Sequence, residues 1–208
     1  MCIRDRYKAL TELYLETQRS VTAPDQWRAF LASACRNYRL SFDEQLLVYA
    51  QRPDATAVLE IERWNRQFGR WVNRGANGIA VFDGEHNGKP RLKYYFDISD
   101  THESRYSRPV PIWQMKPEYE QEVIDTLEST FGELGNRASL EEAVMSAAKN
   151  AVEDNIPDYL SDLLYSVENS FLDGLSEEEI SVIYRETVQN SVAYMLMSRL
   201  CLLYTSDA

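Results

Sequence analysis

The apolar residues of this chain change period twice, from helical spacing to short strand-like runs near residue 70 and back to helical spacing after residue 111. That pattern leaves room only for a small sheet set between helices. Thr22 precedes Pro24-Asp25, a helix start, and Trp27, Phe30, Leu31, Ala34 and Tyr38 then recur at helical spacing. Ser41-Phe42-Asp43-Glu44 is a capping box opening a short helix from about Phe42 to Gln51. Arg52-Pro53 ends it, because the residue before proline is pushed out of the helical region. A third helix is expected from about Thr56, carrying Ala57, Ile61, Trp64 and Phe68 to the break at Gly69. Arg70 to Asn73, Ile79 to Asp83 and Leu92 to Ile98 read as strands. The first two are joined by Arg74-Gly75-Ala76-Asn77-Gly78 and the last two by a polar turn from Glu85 to Pro90. A three-stranded antiparallel meander is the simplest arrangement.

Arg108-Pro109-Val110-Pro111 reads as a connector, after which Pro117 opens a helix with Tyr119, Val123, Leu127 and Phe131 on one face. Two more capping boxes follow, Ser139 with Glu142 and Ser176 with Glu179. Their helices should bury Leu140, Ala143, Val144, Ala147 and Ala151, and Ile180, Ile183, Tyr184, Val188, Val192 and Met195. Between them Tyr159, Leu160, Leu163, Leu164 and Val167 form a shorter apolar stripe. The expected fold class is α+β: N-terminal helices packed on a small antiparallel sheet, followed by an all-helical acidic extension.

Charge divides the chain at the same place. Residues 7–115 carry 15 Lys and Arg against 13 Asp and Glu, net +2, while residues 116–200 carry 5 against 18, net −13. The two halves therefore suit different partners, and a basic protein is a candidate partner for residues 116–200.

The ends call for separate treatment. Met1 to Arg6 and Cys201 to Ser206 correspond to opposite-strand translations of one sequencing-library transposon end, ATG TGT ATA AGA GAC AG and its reverse complement, with Asp207-Ala208 running into the primer site. Residues 1–6 and 201–208 are thus expected to be adaptor-derived tags, leaving 7–115 and 116–200 as the two authentic regions, the second truncated. Cys2 and Cys201 leave with the tags, and the remaining Cys35 fits a reducing cytosol. No apolar run is long enough to span a membrane and no secretory signal opens the chain, so a cytoplasmic protein without membrane contact is expected.

Catalytic signatures are missing. His86 and His102 are the only histidines, and His102-Glu103 is followed by Ser104-Arg105-Tyr106, so the second histidine of a zincin helix is absent. The glycine turn at 74–78 lacks the lysine and the length of a phosphate-cradling loop. Glu177-Glu178-Glu179 suits the first turn of a helix, where the macrodipole favours carboxylates, better than a cation site. No metal, cofactor or enzymatic activity is expected of this piece.

What remains is an interleaving of basic and aromatic residues: Arg63, Trp64, Arg66, Phe68, Arg70, Trp71 and Arg74, with no acid from 63 to 74. Arginine supplies phosphate contacts and indole a π-face, the combination that holds unpaired bases without sequence preference. At helical spacing the tryptophans also suit a core, with the arginines as a solvated face.

Several strings in the chain resemble the opening module of giant conjugative-transposon DNA-processing proteins. They are Trp27, Phe30 and Tyr38; Gln45-Leu46-Leu47; Tyr49-Ala50-Gln51-Arg52-Pro53-Asp54-Ala55-Thr56; Trp64-Asn65; Gly69-Arg70-Trp71-Val72; Arg74-Gly75-Ala76-Asn77-Gly78-Ile79; and Tyr95-Phe96-Asp97-Ile98-Ser99-Asp100-Thr101. The parents in that family typically continue into helicase and adenine-specific methyltransferase-like regions. More distantly, the order of elements is similar to the single-stranded-DNA-binding domain of ArdC-type antirestriction proteins, although Ala76-Asn77 stands where a charged pair is common. The resemblance implies a non-catalytic single-stranded-DNA-binding module, working alongside the remainder of its own polypeptide. It adds Gln51 and Arg52 to Arg63, Trp64, Arg66, Arg70, Trp71 and Arg74 as nucleic-acid-binding candidates. The alternative is a protein-interaction or DNA-mimic antirestriction role carried by the acidic half.

Overall fold

In the computed structural model, which describes residues 3–87 and 89–202, the chain is α+β and divides into two compact units, Met1–Trp113 and Gln114–Ala208. The first unit opens with a helix that no reading of the sequence assigned, α1 (Ile3–Ser20). Its signal was present, since Leu10, Leu13, Tyr14 and Thr17 recur at helical spacing, and Leu10 and Thr17 are buried. The next helix, α2 (Pro24–Ala34), stops earlier than expected and gives way to a 3-10 turn at Cys35–Asn37, leaving Tyr38 exposed. The cause lies in side chains that seek other backbone partners. Asn37 accepts from the Val58 N–H at 3.2 Å, and the Arg36 guanidinium donates to the carbonyl oxygen of Ala55 at 2.9 Å.

Helix α3 (Phe42–Gln51) starts on its full capping box. Ser41 Oγ accepts from the Glu44 N–H at 3.4 Å and Glu44 Oε2 accepts from the Ser41 N–H at 3.0 Å. The same Glu44 then reaches the sheet, accepting from Lys93 Nζ at 2.5 Å and from the Tyr95 hydroxyl at 2.9 Å. Burial alone would raise its carboxyl, but the Lys93 ammonium, the Ser41 N–H and the Tyr95 hydroxyl hold it below the usual range.

The helix expected from Thr56 is not one element. Val58–Glu60 is a strand, β1, followed by a single turn α4 (Ile61–Arg63) and a π-helical turn at Trp64–Phe68. The chain is held extended before α4 by the buried Asp97 carboxylate, which accepts from the N–H of Thr56 at 2.7 Å and of Ala57 at 3.0 Å. Tertiary pairing therefore overrides the local helical spacing.

The meander is corrected as well. β1 pairs antiparallel with β4 (Lys89–Asp97), which pairs antiparallel with β3 (Ile79–His86), in the order β1-β4-β3. β2 (Arg70–Val72) does not join that sheet. It pairs instead with β5 (Thr101–Glu103) in a separate two-stranded ribbon, with Trp71 opposite His102. The glycine turn at 74–78 thus connects two sheets rather than closing a hairpin. The polar turn is shorter than expected, because β3 runs to His86 past a register shift between Phe82 and Glu85, where Gly84 sits at φ +69°. Leu10, Leu47, Val48, Val58, Ile79, Val81 and Tyr95 form the core of this unit.

In the second unit a 3-10 turn at Pro117–Tyr119 leads into α5 (Glu120–Phe131), then α6 (Leu140–Leu164) and α7 (Glu177–Arg199). Ser176 and Glu179 make the reciprocal box, whereas at Ser139 only the forward half forms, its hydroxyl accepting from the Glu142 N–H at 3.2 Å. Ile124, Leu134, Leu140, Ala143, Val144, Ala147 and Met197 make the core. Val152 is buried where Ala151 was expected, and on α7 the buried set is Ile180, Ala193 and Met197, with Ile183, Tyr184, Val188, Val192 and Met195 only half-buried. The Tyr159 stripe begins on α6 itself, which continues through Pro157.

Of the residues read as tags, Ile3 to Arg6 form the exposed first turn of α1, Cys201 is exposed, and Leu202 packs half-buried on the second core. The others lie outside the described residues.

Candidate nucleic-acid interface

The candidate residues separate into a structural set and a free set. Trp64 belongs to the first: its side chain is 0% exposed, its Nε1 donates to the Phe96 carbonyl oxygen at 2.8 Å, and its ring packs on Phe68. A ring so enclosed has no face for a base, so Trp64 is a core residue and not the stacking platform expected from the sequence. Arg70 is likewise committed. Nε donates to Thr101 Oγ1 at 2.7 Å and one terminal nitrogen to Glu103 Oε1 at 2.8 Å, locking β2 to β5. With its side chain only 12% exposed and its charge matched by Glu103, Arg70 is a poor phosphate ligand.

Gln51 and Arg52 are also turned toward the fold. The Gln51 amide pairs with the edge of β3, donating to the Ala80 carbonyl oxygen at 2.8 Å and accepting from the Ala80 N–H at 2.9 Å, as a neighbouring strand would. Arg52 reaches across to Asp100 at 2.5 Å and Ser99 at 2.7 Å. It braces the 3-10 turn Ile98–Asp100 that leads into β5.

The free set consists of Arg63, Arg66, Trp71 and Arg74. The three arginines are exposed and form no ion pair among the described residues. Trp71 is 53% exposed on the ribbon. Its cross-strand neighbour His102 is exposed too, with Nδ1 at 2.8 Å from Asn73 Oδ1, and the Asn73 N–H donates to the Asp100 carbonyl oxygen at 2.8 Å. Directly opposite residues of a strand pair share a face, so Trp71 and His102 stand together on one side of the ribbon and Arg70 and Glu103 on the other.

Sequence reasoning missed a further stretch. Beyond β5 the chain turns back on Phe68 and Gly69, with the Arg108 N–H donating to the Phe68 carbonyl oxygen at 2.9 Å. This return places Arg105, Tyr106 and Arg108, all exposed, beside the ribbon. The only local hint was the basic-aromatic composition of Arg105-Tyr106-Ser107-Arg108, because the docking depends on the long-range pairing of β2 with β5.

Buried polar chemistry also holds the Ile98–Asp100 turn that leads into β5, since Asp97 caps it. Burial would push the Asp97 carboxyl up, but the Ser99 N–H and hydroxyl and the N–H groups of Ala57 and Thr56 hold it below the usual range. Among the described residues no group of His, Cys, Asp and Glu could hold a metal ion, and no helix is long and apolar enough to cross a membrane. Comparison with protein-family models, with curated proteins and with solved structures finds no match.

Proposed function

We propose that residues 7–115 form a non-catalytic single-stranded-DNA-binding module of a larger mobile-element DNA-processing protein, acting in the cytoplasm. The observation that carries this reading is the half-exposed Trp71, seated on the paired β2–β5 ribbon in a run that also leaves Arg63, Arg66 and Arg74 exposed and, among the described residues, without an ion pair. An exposed indole on a braced strand offers a stacking face at little ordering cost, and unpaired guanidinium groups are available to phosphates. The resemblance to the opening modules of conjugative-element proteins points the same way.

The test is the salt dependence of binding to a labelled single strand. Each phosphate neutralised contributes about 0.7 to the log–log slope, so Arg66→Ala or Arg74→Ala should flatten it by a fraction of a contact to about one contact. Trp71→Ala should lose about 1–3 kcal/mol of affinity with the slope little changed. A folded protein with no salt-dependent affinity for single strands would sink the proposal.

A further inference from the structure

The turn from Ser104 to Arg108 is held more firmly than its exposure requires. Ser104 Oγ and Ser107 Oγ both donate to the Gly69 carbonyl oxygen, at 2.6 and 2.9 Å. Ser104 Oγ also accepts from the Tyr106 N–H at 3.2 Å, and Ser107 Oγ accepts from the Ser104 N–H at 2.8 Å. Gly69 sits at φ +63°, and a side chain there would place its Cβ 2.8 Å from the Tyr106 carbonyl oxygen. The turn and the start of β2 are thus in direct backbone contact, two residues from Trp71.

Ordering a turn costs roughly 1–2 kcal/mol per residue in backbone entropy. Here the large side chains gain no burial in return. The Tyr106 ring is 79% exposed, with the Arg105 guanidinium 6.0 Å from its centroid, and Arg108 is exposed as well. A backbone held this way while its aromatic and cationic groups face water is preorganised for a ligand that supplies both an apolar face and negative charge.

We propose that the Ser104–Arg108 turn is the second half of the single-strand site: Tyr106 stacks one base beside the base on Trp71, Arg105 and Arg108 meet the phosphates flanking it, and Ser104 and Ser107 are positioning residues. The ligand is therefore an unpaired strand of at least two nucleotides, and a mononucleotide engages only half of the site. This rests on the single-strand reading above.

The experiment uses the full chain and a labelled oligothymidine. Tyr106→Leu lowers affinity about five- to 150-fold, the equivalent of about 1–3 kcal/mol for one base–aromatic stack, with melting and salt slope unchanged. Tyr106→Trp keeps the affinity, and the strand quenches the added indole emission. Ser104→Ala combined with Ser107→Ala lowers affinity in the same direction although it touches neither ring. Wild-type binding from Tyr106→Leu, an unquenched Tyr106→Trp, or full affinity in the double serine variant overturns the second platform while leaving Trp71 in place. A wild-type chain that does not bind the strand at all overturns the single-strand reading itself.

Discussion

Trp64 and Trp71 lie in one basic-aromatic stretch, yet one is enclosed beneath the sheet and the other stands on a ribbon in water. Trp64→Ala should therefore cost roughly 3–5 kcal/mol of stability, from lost transfer energy and the cavity left behind. Trp71→Ala should leave the melting temperature of the first unit nearly unchanged, and thermal melting of the two variants checks both. Asp97 supplies a pH test. Its folded carboxyl is depressed, so its contribution is present above the unfolded value of about 3.9 and is lost as pH falls through the lower folded one. Asp97→Asn removes that acid-side dependence and, by leaving buried donors poorly satisfied, should cost about 1–3 kcal/mol at neutral pH. Urea unfolding of both proteins from neutral pH to below the ordinary carboxylate range checks this: the variant should lose less stability than the wild type as pH falls, and an equal loss in both would contradict the assignment.

At the scale of elements, the reliable local signals were those in which side chain and backbone answer each other within four residues. The boxes at Ser41 and Ser176 formed with both bonds, and α3 and α7 begin where they stand. Glu44 does more than cap, since its second oxygen joins α3 to β4 through Lys93 and Tyr95. Glu44→Gln keeps a cap acceptor but loses the ion pair, and should cost about 1–3 kcal/mol, well above an ordinary surface substitution. Equilibrium unfolding measures this, and Lys93→Met in the Glu44→Gln background should then cost little more, because the pair is already broken. β1 was misread as part of a helix, and β2, read as a strand, was given the wrong partner, both for the opposite reason. Three-residue strands have no period of their own to display, and their identity comes from partners roughly 30 to 40 residues away, Tyr95 to Asp97 for one and Thr101 to Glu103 for the other.

Across the whole molecule, the two units have separate cores, one built on Leu47 and Val81 and the other on Ala143 and Val144. Leu47→Ala and Leu140→Ala should each cost about 2–5 kcal/mol, and each loss should fall on its own unit. Amide hydrogen exchange would then show protection lowered in α3 and β3 by the first substitution and in α5 and α6 by the second. A uniform loss across both units would contradict independent cores. The charge division follows the same boundary, with net +2 over residues 7–115 and net −13 over residues 116–200. In the acidic half Lys116 pairs with Glu118, Arg137 with Asp125 and Glu128, and Arg185 with Glu153.

The α+β class, the capped helices, the acidic character of the second half and the basic-aromatic stretch were all legible in the linear chain, because each depends on composition or on contacts within one or two turns. Which of those basic and aromatic groups remain available was not. Trp64, Arg70 and Arg52 match the free residues in type, and they and Gln51 are set apart by having met Phe96, Thr101, Asp100 and Ala80, partners 29 to 48 positions away. The same holds for Arg105, Tyr106 and Arg108, whose turn reaches Phe68 and Gly69 at the start of β2 because β2 pairs with β5. Local sequence determines which conformation each short segment favours, whereas burial and pairing decide which side chains stay free to bind, and those are properties of the tertiary structure.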